Sequence, residues 1–383
     1  MSGRGRICIY SDYLFPVLVP TGVPFAGGAE TQLARIAWGL HARGFEVSVV
    51  TGGFGQPAEV VFRGLRVLKS FAPEAGWPVF RFFHPRLTGM LGALNRADAE
   101  VYYVNGAGLT VGLTGELARM RRAGFVNHCA SDYDVSRAGL GQHLSLRDRS
   151  WHLRSIRRAD ALLAQTEWQR AHFKSQFGLA SEVLPNLVQL PAVAADPGQD
   201  GAVVWIGTYK KMKRPDWFLR LAEDCPGARF VMAGVIPPAP LTREHWERAR
   251  ATSERLPNLE VRGFQNEREI AELLSGASLL VHTSPVEGFS NVLLEAWAKG
   301  VPTVSCVDPD GVVGRERLGR AAPDYPALLA AVRELLADPA ERRAAGQRAR
   351  QLVASRHAPD AVFDQLATLL DGVVAAVRTR RAR

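Results

Sequence analysis

The feature that most constrains the fold is a repeated alternation of short apolar runs with longer segments of helical periodicity. It occurs twice along the 383 residues, in two series separated by a stretch rich in proline and glycine. Short apolar runs bounded by turn residues are typical of strands buried on both faces, and their alternation with helices predicts a parallel sheet. The sequence therefore predicts two α/β domains, each with a doubly wound parallel sheet covered by helices.

The first series begins with the apolar run at 7–10. A loop that contains Gly27 and Gly28 follows, and then a helical segment that ends near Gly44. The next strand is predicted at 46–50, so that strand, glycine-rich loop, helix and strand form one βαβ unit. Further strands of this half are predicted at 101–104, 125–127, 161–164 and 182–184.

The second series has the same organisation. It predicts strands at 203–206, 229–233, 259–261, 278–282 and 302–306, and helices at 216–223, 243–255, 267–274, 291–299 and 325–337. Pro215 suits a first helical position, and Asn266 with Glu269 predicts a capping box. A last helix at 359–377 has one wide apolar stripe, which favours packing on a domain surface.

These two series set the expected domain boundaries. We assign 1–190 to an N-terminal domain, 191–201 to a linker, 202–357 to a C-terminal domain, and 358–383 to a terminal helix that packs back toward the N-terminal domain. Four of the last six residues are arginine, and the simplest interpretation is a frayed basic tail. Ligands bind beyond the carboxyl ends of parallel strands, so two facing domains would form a cleft between them.

Charge and cysteine content narrow the function. A net charge of +9 favours anionic ligands such as nucleotide phosphates, an anionic lipid surface or nucleic acid. Nucleic acid is not expected, because no RNA- or DNA-binding motif occurs. Four cysteines without a C-x-x-C pair argue against a zinc ribbon or disulfide scaffold. With no membrane-spanning stretch and no export signal identified, we expect a cytoplasmic protein.

The most informative segment is 284–302, which follows a predicted strand. Glu287 and Gly288 are expected in a loop, Ser290 can cap the helix that follows, and Glu295 lies about one turn inside that helix. Backbone amides that converge at a helix N-terminus bind anions or hydroxyls. Two carboxylates at this spacing add acceptors for paired sugar hydroxyls.

This segment, Glu287-Gly-Phe-Ser-Asn-Val-Leu-Leu-Glu295, resembles the E-x7-E motif of glycosyltransferase family 4, whose members are retaining enzymes that use nucleotide-sugar donors. Three other segments resemble the same family: the GGxE loop at 27–30, the Pro-Asn pair at 185–186 and the phosphate-binding segment at 206–215. The resemblance implies a GT-B fold, in which two Rossmann-like doubly wound domains face each other across a cleft. It also implies transfer of a sugar to an acceptor.

The resemblance implies a role for each matching residue. Glu287 would face the transferred sugar, Glu295 would bind the ribose hydroxyls, and Lys213 would neutralise the diphosphate. His128 falls where the family often has a histidine beside the sugar, and a structural role is an equal alternative. Glu287, Lys213 and His128 are the catalytic candidates. The donor-binding candidates are Gly27, Gly28, Thr208, Lys213, Gly263, Phe264, Glu287, Gly288, Phe289, Ser290, Asn291 and Glu295.

One position departs from the family pattern. Arginine usually follows the glycine that corresponds to Gly207, but here Thr208 does, which brings no charge to the diphosphate. The compensating cation is expected among Lys210, Lys211, Arg214 and Arg262. We identify no dense carboxylate cluster suited to magnesium, so transfer is expected to need no metal.

Several alternatives stay open at this point. A nucleotide-sugar epimerase of the same fold, or a non-catalytic nucleotide-sugar-binding protein, would use the same motifs. No cofactor is expected besides the substrate, which is a UDP- or GDP-linked sugar, and the acceptor is a glycan, a lipid-linked sugar or a small molecule. The aromatic and basic segment 77–86 either docks at an anionic membrane surface or packs inward as a helix.

Overall fold

The computed structural model describes residues 3–19, 27–72, 82–197, 201–236 and 240–383. The chain divides into two compact units, one formed by Met1–Asn186 with Pro359–Arg383 and the other by Leu187–Ala358. The second unit begins at Leu187 rather than after a linker at 191–201, because Val188 is already buried in its core. Residues 77–81 of the aromatic and basic segment 77–86 lie outside the described residues, so its two interpretations stay open.

The first unit contains an eight-stranded sheet. Its strands run in the order β3-β4-β2-β1-β5-β6-β7-β8, and all neighbours are parallel except the pair β3 and β4. The six strands predicted for this half are all present. The strands are β1 (Arg6–Tyr10), β2 (Glu46–Thr51), β3 (Glu59–Phe62), β4 (Leu65–Lys69), β5 (Val101–Asn105), β6 (Gly124–His128), β7 (Ala161–Ala164) and β8 (Glu182–Val183).

Strands β3 and β4 of this sheet were not predicted from the sequence, and neither was β14 (Gly319–Ala321) of the second unit. Strands β3 and β4 form an antiparallel hairpin whose two-residue turn, Arg63 and Gly64, has positive φ at both positions. Such turns usually carry Asn-Gly or Asp-Gly, and arginine in the left-handed region gives no turn signal. Strand β4 extends the parallel sheet beside β2, while β3 forms its edge.

Among the described residues, seven α-helices of this unit precede the second unit in the chain. They cover the sheet on both faces. Successive residues of β1 point to opposite faces, and both faces are buried: Cys8 and Tyr10 pack in one core cluster with Leu94 and Leu117, whereas Ile7 is buried on the other side. The helices are α1 (Phe15–Leu18), α2 (Gly28–Ala42), α3 (Thr88–Ala97), α4 (Leu109–Met120), α5 (Arg137–His143), α6 (Leu146–Ile156) and α7 (Glu167–His172).

The second unit contains a six-stranded sheet in the order β11-β10-β9-β12-β13-β14, and all its neighbouring strands are parallel. Its strands are β9 (Ala202–Thr208), β10 (Phe230–Val235), β11 (Leu259–Arg262), β12 (Ala277–His282), β13 (Thr303–Ser305) and β14 (Gly319–Ala321). Its helices are α8 (Pro215–Asp224), α9 (Pro240–Arg255), α10 (Glu267–Ser275), α11 (Asn291–Lys299), α12 (Val312–Arg315), α13 (Tyr325–Ala337) and α14 (Pro339–Arg356).

Helices also cover both faces of this second sheet. Val204 and Leu280 pack in one core cluster, while their neighbours Trp205 and Leu279 pack in another. Since successive side chains of a strand point to opposite faces, the two clusters are the two sides of a doubly wound sheet. The predicted fold class is confirmed for both units.

The sequence did not predict helix α14, because its many alanines and arginines form no regular apolar stripe. It packs closely on α11: a side chain at Gly346 would collide with the carbonyl oxygen of Gly300. Arg342 is buried in this helix and donates hydrogen bonds to the carbonyl oxygens of Pro197 and Leu335 at 2.6 and 2.7 Å. These bonds satisfy a guanidinium that would otherwise be costly to bury.

The terminal helix α15 (Pro359–Ala382) belongs to the first unit and packs against α2, where Gly39 leaves room for the ring of Phe363. The interpretation of a frayed tail is wrong, because the helix continues through most of the basic segment. Arg378 pairs with Glu100 and Arg380 with Asp160, each at 2.7 Å. Across the described ranges, no helix is both long and apolar enough to cross a membrane.

The contacts of Glu100 with Arg6 and Arg378 give a prediction on stability. Glu100 is buried and accepts hydrogen bonds from the Arg6 amide and from Arg378, so Glu100→Ala leaves both donors without this acceptor. We expect it to lower the free energy of unfolding by about 1–3 kcal/mol. The control Asp371→Ala removes an exposed pair with Arg4 and should cost at most about 1 kcal/mol. Urea unfolding measures both, and equal losses would contradict the anchoring role.

Candidate active site

The E-x7-E segment occupies the place that the sequence predicts. Strand β12 ends at His282 and α11 begins at Asn291, so Glu287 and Gly288 lie in the connecting loop. Glu295 lies in the second turn of α11, which ends where Gly300 adopts a positive φ of 81°. The loop therefore lies at the carboxyl edge of the sheet, where parallel α/β sheets bind ligands.

Two of the three catalytic candidates are in contact. Lys213 follows strand β9 and Glu287 follows strand β12, and these strands are direct neighbours in the sheet. The ammonium group of Lys213 forms an ion pair with the carboxylate of Glu287. Both side chains are largely buried, with 26% and 18% of their surface exposed. The fold thus joins two residues that are 74 positions apart.

A third residue of this cluster, His282, was missed by sequence reasoning. Its Nε2 lies 3.5 Å from the same oxygen of Glu287 that Lys213 contacts, and 3.3 Å from the hydroxyl of Ser290. Its Nδ1 lies 3.4 Å from the hydroxyl of Ser305 on the neighbouring strand β13. The only signal in the sequence was its position as the last residue of the strand before the motif.

Ser290 does not act as the sequence predicts. It occupies the N-cap position of α11, but its side chain makes no capping hydrogen bond to the first turn. Its hydroxyl is directed to His282 instead. The neighbouring Phe289 also has a structural side chain, which is buried against the rings of Trp297 and His357. Ser290 therefore belongs to the polar cluster around Glu287, whereas the ring of Phe289 belongs to the core.

The electrostatics of Glu287 are set by its burial and by its two neighbours, His282 and Lys213. Burial alone would raise the pKa of this carboxyl group. The hydrogen bond from His282 and the charge of Lys213 outweigh that effect and lower the pKa to about 2. Glu287 is consequently ionised at every physiological pH and is a weak base.

Thr283 fixes the loop that carries Lys213. Its hydroxyl donates a hydrogen bond to the backbone carbonyl of Lys213 and accepts one from the indole N–H of Trp205, which lies 2.9 Å away. Both Thr283 and Trp205 are buried. The position of the lysine therefore depends on a buried network and not only on its ion pair with Glu287.

The four cations considered as partners for Thr208 differ in their surroundings. Thr208 is half-buried at the end of β9. Arg262 is paired with Glu260 at 2.7 Å, and the guanidinium of Arg214 lies over the ring of Trp217 at 4.3 Å. The other two, Lys210 and Lys211, are exposed and have no carboxylate partner within the described ranges. Of the four cations, these two lysines are therefore the most available to a phosphate.

Gly263 and Phe264 directly follow strand β11, at the same edge of the sheet but two strands away from β9. Gly263 accepts a hydrogen bond from the amide of Gly234 at 3.1 Å. Gly234 itself cannot carry a side chain, because a Cβ there would lie 1.8 Å from the carbonyl oxygen of Gly207. Phe264 is 37% exposed, so its ring is available at this edge.

His128 is the last residue of β6 in the first unit and is completely enclosed. The hydroxyl of Tyr103 lies 2.7 Å from its Nδ1. Its Nε2 is buried without a hydrogen-bond partner in the part of the chain that the structure describes. Burial lowers the pKa of His128 to about 4, so the ring is neutral at neutral pH. Asn105, paired with it in the sheet register, likewise has a buried side-chain oxygen without a partner.

Gly27 and Gly28 lie at the start of helix α2, where Gly27 is the N-cap residue. The φ of Gly27 is −118°, a conformation that any residue adopts. Its carbonyl accepts hydrogen bonds from the amide and the hydroxyl of Thr31. The preceding part of this loop, 20–26, lies outside the described residues, so the ligand-binding role of both glycines stays a prediction.

Two Asp-x-Asp pairs occur in the sequence, Asp132 with Asp134 and Asp308 with Asp310. Asp134 accepts hydrogen bonds from the amides of Ala130 and Ser131, and Asp308 accepts them from Val313 and Gly314. Both carboxylates therefore stabilise local backbone turns. In the described ranges, no three histidine, cysteine, aspartate or glutamate side chains form a cluster that could hold a metal ion.

Both halves of the sequence match glycosyltransferase domains. Residues 27–186 match the family model described as glycosyl transferase 4-like domain, and residues 200–338 match the one described as glycosyl transferases group 1. The chain therefore belongs to the glycosyltransferases that combine these two domains, a group similar to family 4. A comparison with curated proteins finds no significant match.

Solved structures with the same fold include enzymes of sugar metabolism. Sucrose-phosphate synthase from Thermosynechococcus elongatus has a TM-score of 0.76 at 18% identity, covering 97% of this chain and 99% of that one. HepE of Anabaena in complex with UDP-glucose has a TM-score of 0.72 at 16% identity, covering 96% and 99%. The α,α-trehalose 6-phosphate synthase of Burkholderia multivorans has 0.69 at 13% identity, covering 98% of each chain. These similarities support the GT-B fold.

The ionisation of Glu287 gives a prediction on pH. Its pKa is lowered from 4.5 to about 2 in the folded protein, so the ionised form stabilises the fold. This contribution is complete above about pH 4.5 and is lost as the pH falls toward 2. We expect Glu287→Gln to lower the free energy of unfolding at pH 6, and the difference from wild type to shrink over that interval. Urea unfolding at each pH tests this, and a constant difference would contradict the assignment.

Proposed function

We propose that the protein is a retaining glycosyltransferase that moves a sugar from a nucleoside-diphosphate sugar to an acceptor without a metal ion. The observation that carries this proposal is the ion pair between Lys213 and Glu287 at the carboxyl edge of the second sheet. A cation for the departing diphosphate and a carboxylate for the sugar are thereby held together before the substrate binds. Preorganised charge of this kind is often the largest contribution to catalysis.

Lys213 has the role of stabilising the leaving group. When the glycosidic bond to the diphosphate breaks, positive charge develops on the sugar and negative charge on the phosphate. The ammonium of Lys213 neutralises the phosphate, and the amides that follow Glu287 are placed at the N-terminus of α11, where anions bind. The Thr283 network keeps the lysine in position during this step.

Glu287 has the role of binding the sugar rather than of attacking it. A carboxylate with a pKa of about 2 accepts hydrogen bonds from sugar hydroxyls and stabilises positive charge, but it is too weak a base to deprotonate an acceptor at neutral pH. We therefore assign the acceptor proton to the departing phosphate. The acceptor oxygen then attacks from the face that the phosphate leaves, and the configuration is retained.

The missing arginine at Thr208 is compensated, in this proposal, by Lys210 or Lys211. These lysines lie in the same loop as Lys213, and neither has a carboxylate partner among the residues that the structure describes. The other two candidates are already engaged, Arg262 with Glu260 and Arg214 with Trp217. A flexible lysine can reach a phosphate as a point charge.

In the first unit, we assign His128 a structural role rather than a contact with the sugar. Its ring is enclosed, and neither its Nε2 nor the side-chain oxygen of Asn105 is accessible to a ligand. The hydroxyl of Tyr103 is buried and its proton needs an acceptor, so it donates to Nδ1 and leaves the hydrogen of the neutral ring on Nε2.

The donor is proposed to be a UDP-sugar ahead of a GDP-sugar. The support is that HepE, of similar fold, is described in complexes with UDP and UDP-glucose. The alternative of an epimerase makes a different prediction, since an epimerase converts the nucleotide sugar with no acceptor present. Incubation with the donor alone, followed by chromatography of the nucleotide sugars, distinguishes the two reactions.

The cytoplasm is the proposed location. Of the four cysteines, Cys8, Cys129 and Cys225 are buried and Cys306 is half-buried, and all are free thiols. Free thiols are typical of a reducing compartment. Contact of segment 77–86 with an anionic membrane surface stays a proposal, which co-sedimentation with phosphatidylglycerol vesicles tests.

The catalytic role of Lys213 is tested by substitution. We expect Lys213→Ala to lower kcat by about 100-fold or more with the fold intact, because the leaving diphosphate loses its buried cation. Lys299→Ala is the matched control, since Lys299 lies at the far end of α11, where its side chain donates a hydrogen bond to Ser275. It should leave kcat unchanged. Wild-type turnover by Lys213→Ala would refute the phosphate assignment.

Glu295 is tested by nucleotide binding. Its carboxylate is proposed to accept hydrogen bonds from the ribose hydroxyls, so Glu295→Ala should raise the Kd for UDP by about tenfold, the effect of losing roughly 1.4 kcal/mol. The measurement is titration calorimetry with UDP, GDP and ADP. The control Glu272→Ala removes an exposed glutamate of α10 that pairs with Arg268. An unchanged affinity in Glu295→Ala would contradict the ribose role.

A further inference from the structure

Helix α6 carries arginines on two sides, and the two sides differ. On the side facing α4, Arg154 and Arg158 share the carboxylate of Glu116 with Arg119 at distances of 2.7, 3.5 and 2.8 Å. These cations are neutralised within the protein. They account for part of the basic composition without any ligand.

The other side of α6 borders a groove of about 380 Å³ that is lined by Arg137, Leu146, Arg149, Ser150, Leu153 and Arg157. Five of these residues recur at helical spacing along one face of α6 and its C-cap, and Arg137 comes from the start of α5. The groove is therefore a concave surface with three guanidinium groups along its length.

The three arginines of this groove have no carboxylate partner in the described part of the chain. Arg137 donates only to the backbone carbonyl of Gln176, at 3.1 Å. Arg149 is half-buried, and yet its side chain makes no ion pair or hydrogen bond with any described residue. The carboxylate of Asp148, the nearest acid on the helix, is paired with Arg147 at 2.9 Å.

Three like charges in one concave surface repel one another, so an anionic ligand would relieve an unfavourable arrangement. We propose that this groove binds a ligand that carries at least two phosphate groups. Arginine presents a planar fork of donors that matches phosphate oxygens in pairs. Arg149 and Arg157 are eight residues apart, or about 12 Å along a helix. This distance suits two phosphates of one chain-like molecule.

A bilayer fits the groove less well than a chain does. Its walls are recessed between helices, and Leu146 is the one strongly exposed apolar residue among the six that line it. Membrane-binding helices need an apolar face broad enough to enter the lipid. The site is also separate in sequence and in unit from Lys213, so it goes beyond the proposed transfer reaction and does not depend on it.

The test is titration calorimetry of the full chain with sodium tripolyphosphate. The double variant Arg149→Gln with Arg157→Gln should raise the Kd by about tenfold or more. The control Arg154→Gln with Arg158→Gln removes the same charge from the same helix, on the side of Glu116, and should change the Kd by less than about twofold. An equal rise in Kd in both double variants would show that only the net charge matters, and it would overturn the proposal.

Three further outcomes would support or overturn the proposed groove. The double variant Arg149→Lys with Arg157→Lys keeps the positive charges but loses the paired donors of the guanidinium groups. A Kd moderately above that of the wild type supports the groove even if the glutamine variant folds poorly. Unchanged binding in both glutamine variants would place tripolyphosphate elsewhere, for example at Lys213, and overturn the proposal. Binding of the wild type to phosphatidylglycerol vesicles but not to tripolyphosphate would overturn it in favour of a membrane surface.

Discussion

The ion pair between Lys213 and Glu287 is the interaction on which the proposed function of this protein depends. A carboxylate that is 18% exposed loses much of its hydration, and without a partner its pKa would rise. Lys213 and His282 prevent this and keep Glu287 ionised. The same lysine is available to the diphosphate of a donor. One partly buried contact thus stabilises the site and, in the proposed reaction, supplies the charge needed in the transition state.

This contact exists because parallel strands end at the same edge of a sheet. The residues of the site follow different strands: Lys213 follows β9, His282 ends β12, and Ser305 ends β13. Each strand is held in place by core residues on both faces, such as Val204 on one side and Trp205 on the other. The core therefore fixes the spacing of polar groups that it does not itself contact.

The basic side chains of this protein have several different kinds of partner. Arg378 and Arg380 tie the terminal helix to Glu100 and Asp160, and Arg342 is buried with backbone carbonyls as its partners. The arginines beside Glu116 neutralise one shared carboxylate. Where such partners are missing, as at Lys210, at Lys211 and in the groove along α6, the charge points to a ligand. Net charge alone could not separate structural arginines from ligand-binding ones.

The sequence by itself determined the two α/β units, nearly all strands of both sheets, and the position of Glu287 in a loop before α11. These features depend on local patterns: apolar runs, turn residues and a motif contained in nine residues. It missed the hairpin at 59–69, whose turn has no usual turn residues, and α14, which has no apolar stripe. Only the tertiary structure placed His282 and Lys213 around one oxygen of Glu287 and turned the Ser290 hydroxyl away from its helix. The reason is that distances between strand ends arise from sheet packing, which no local pattern records.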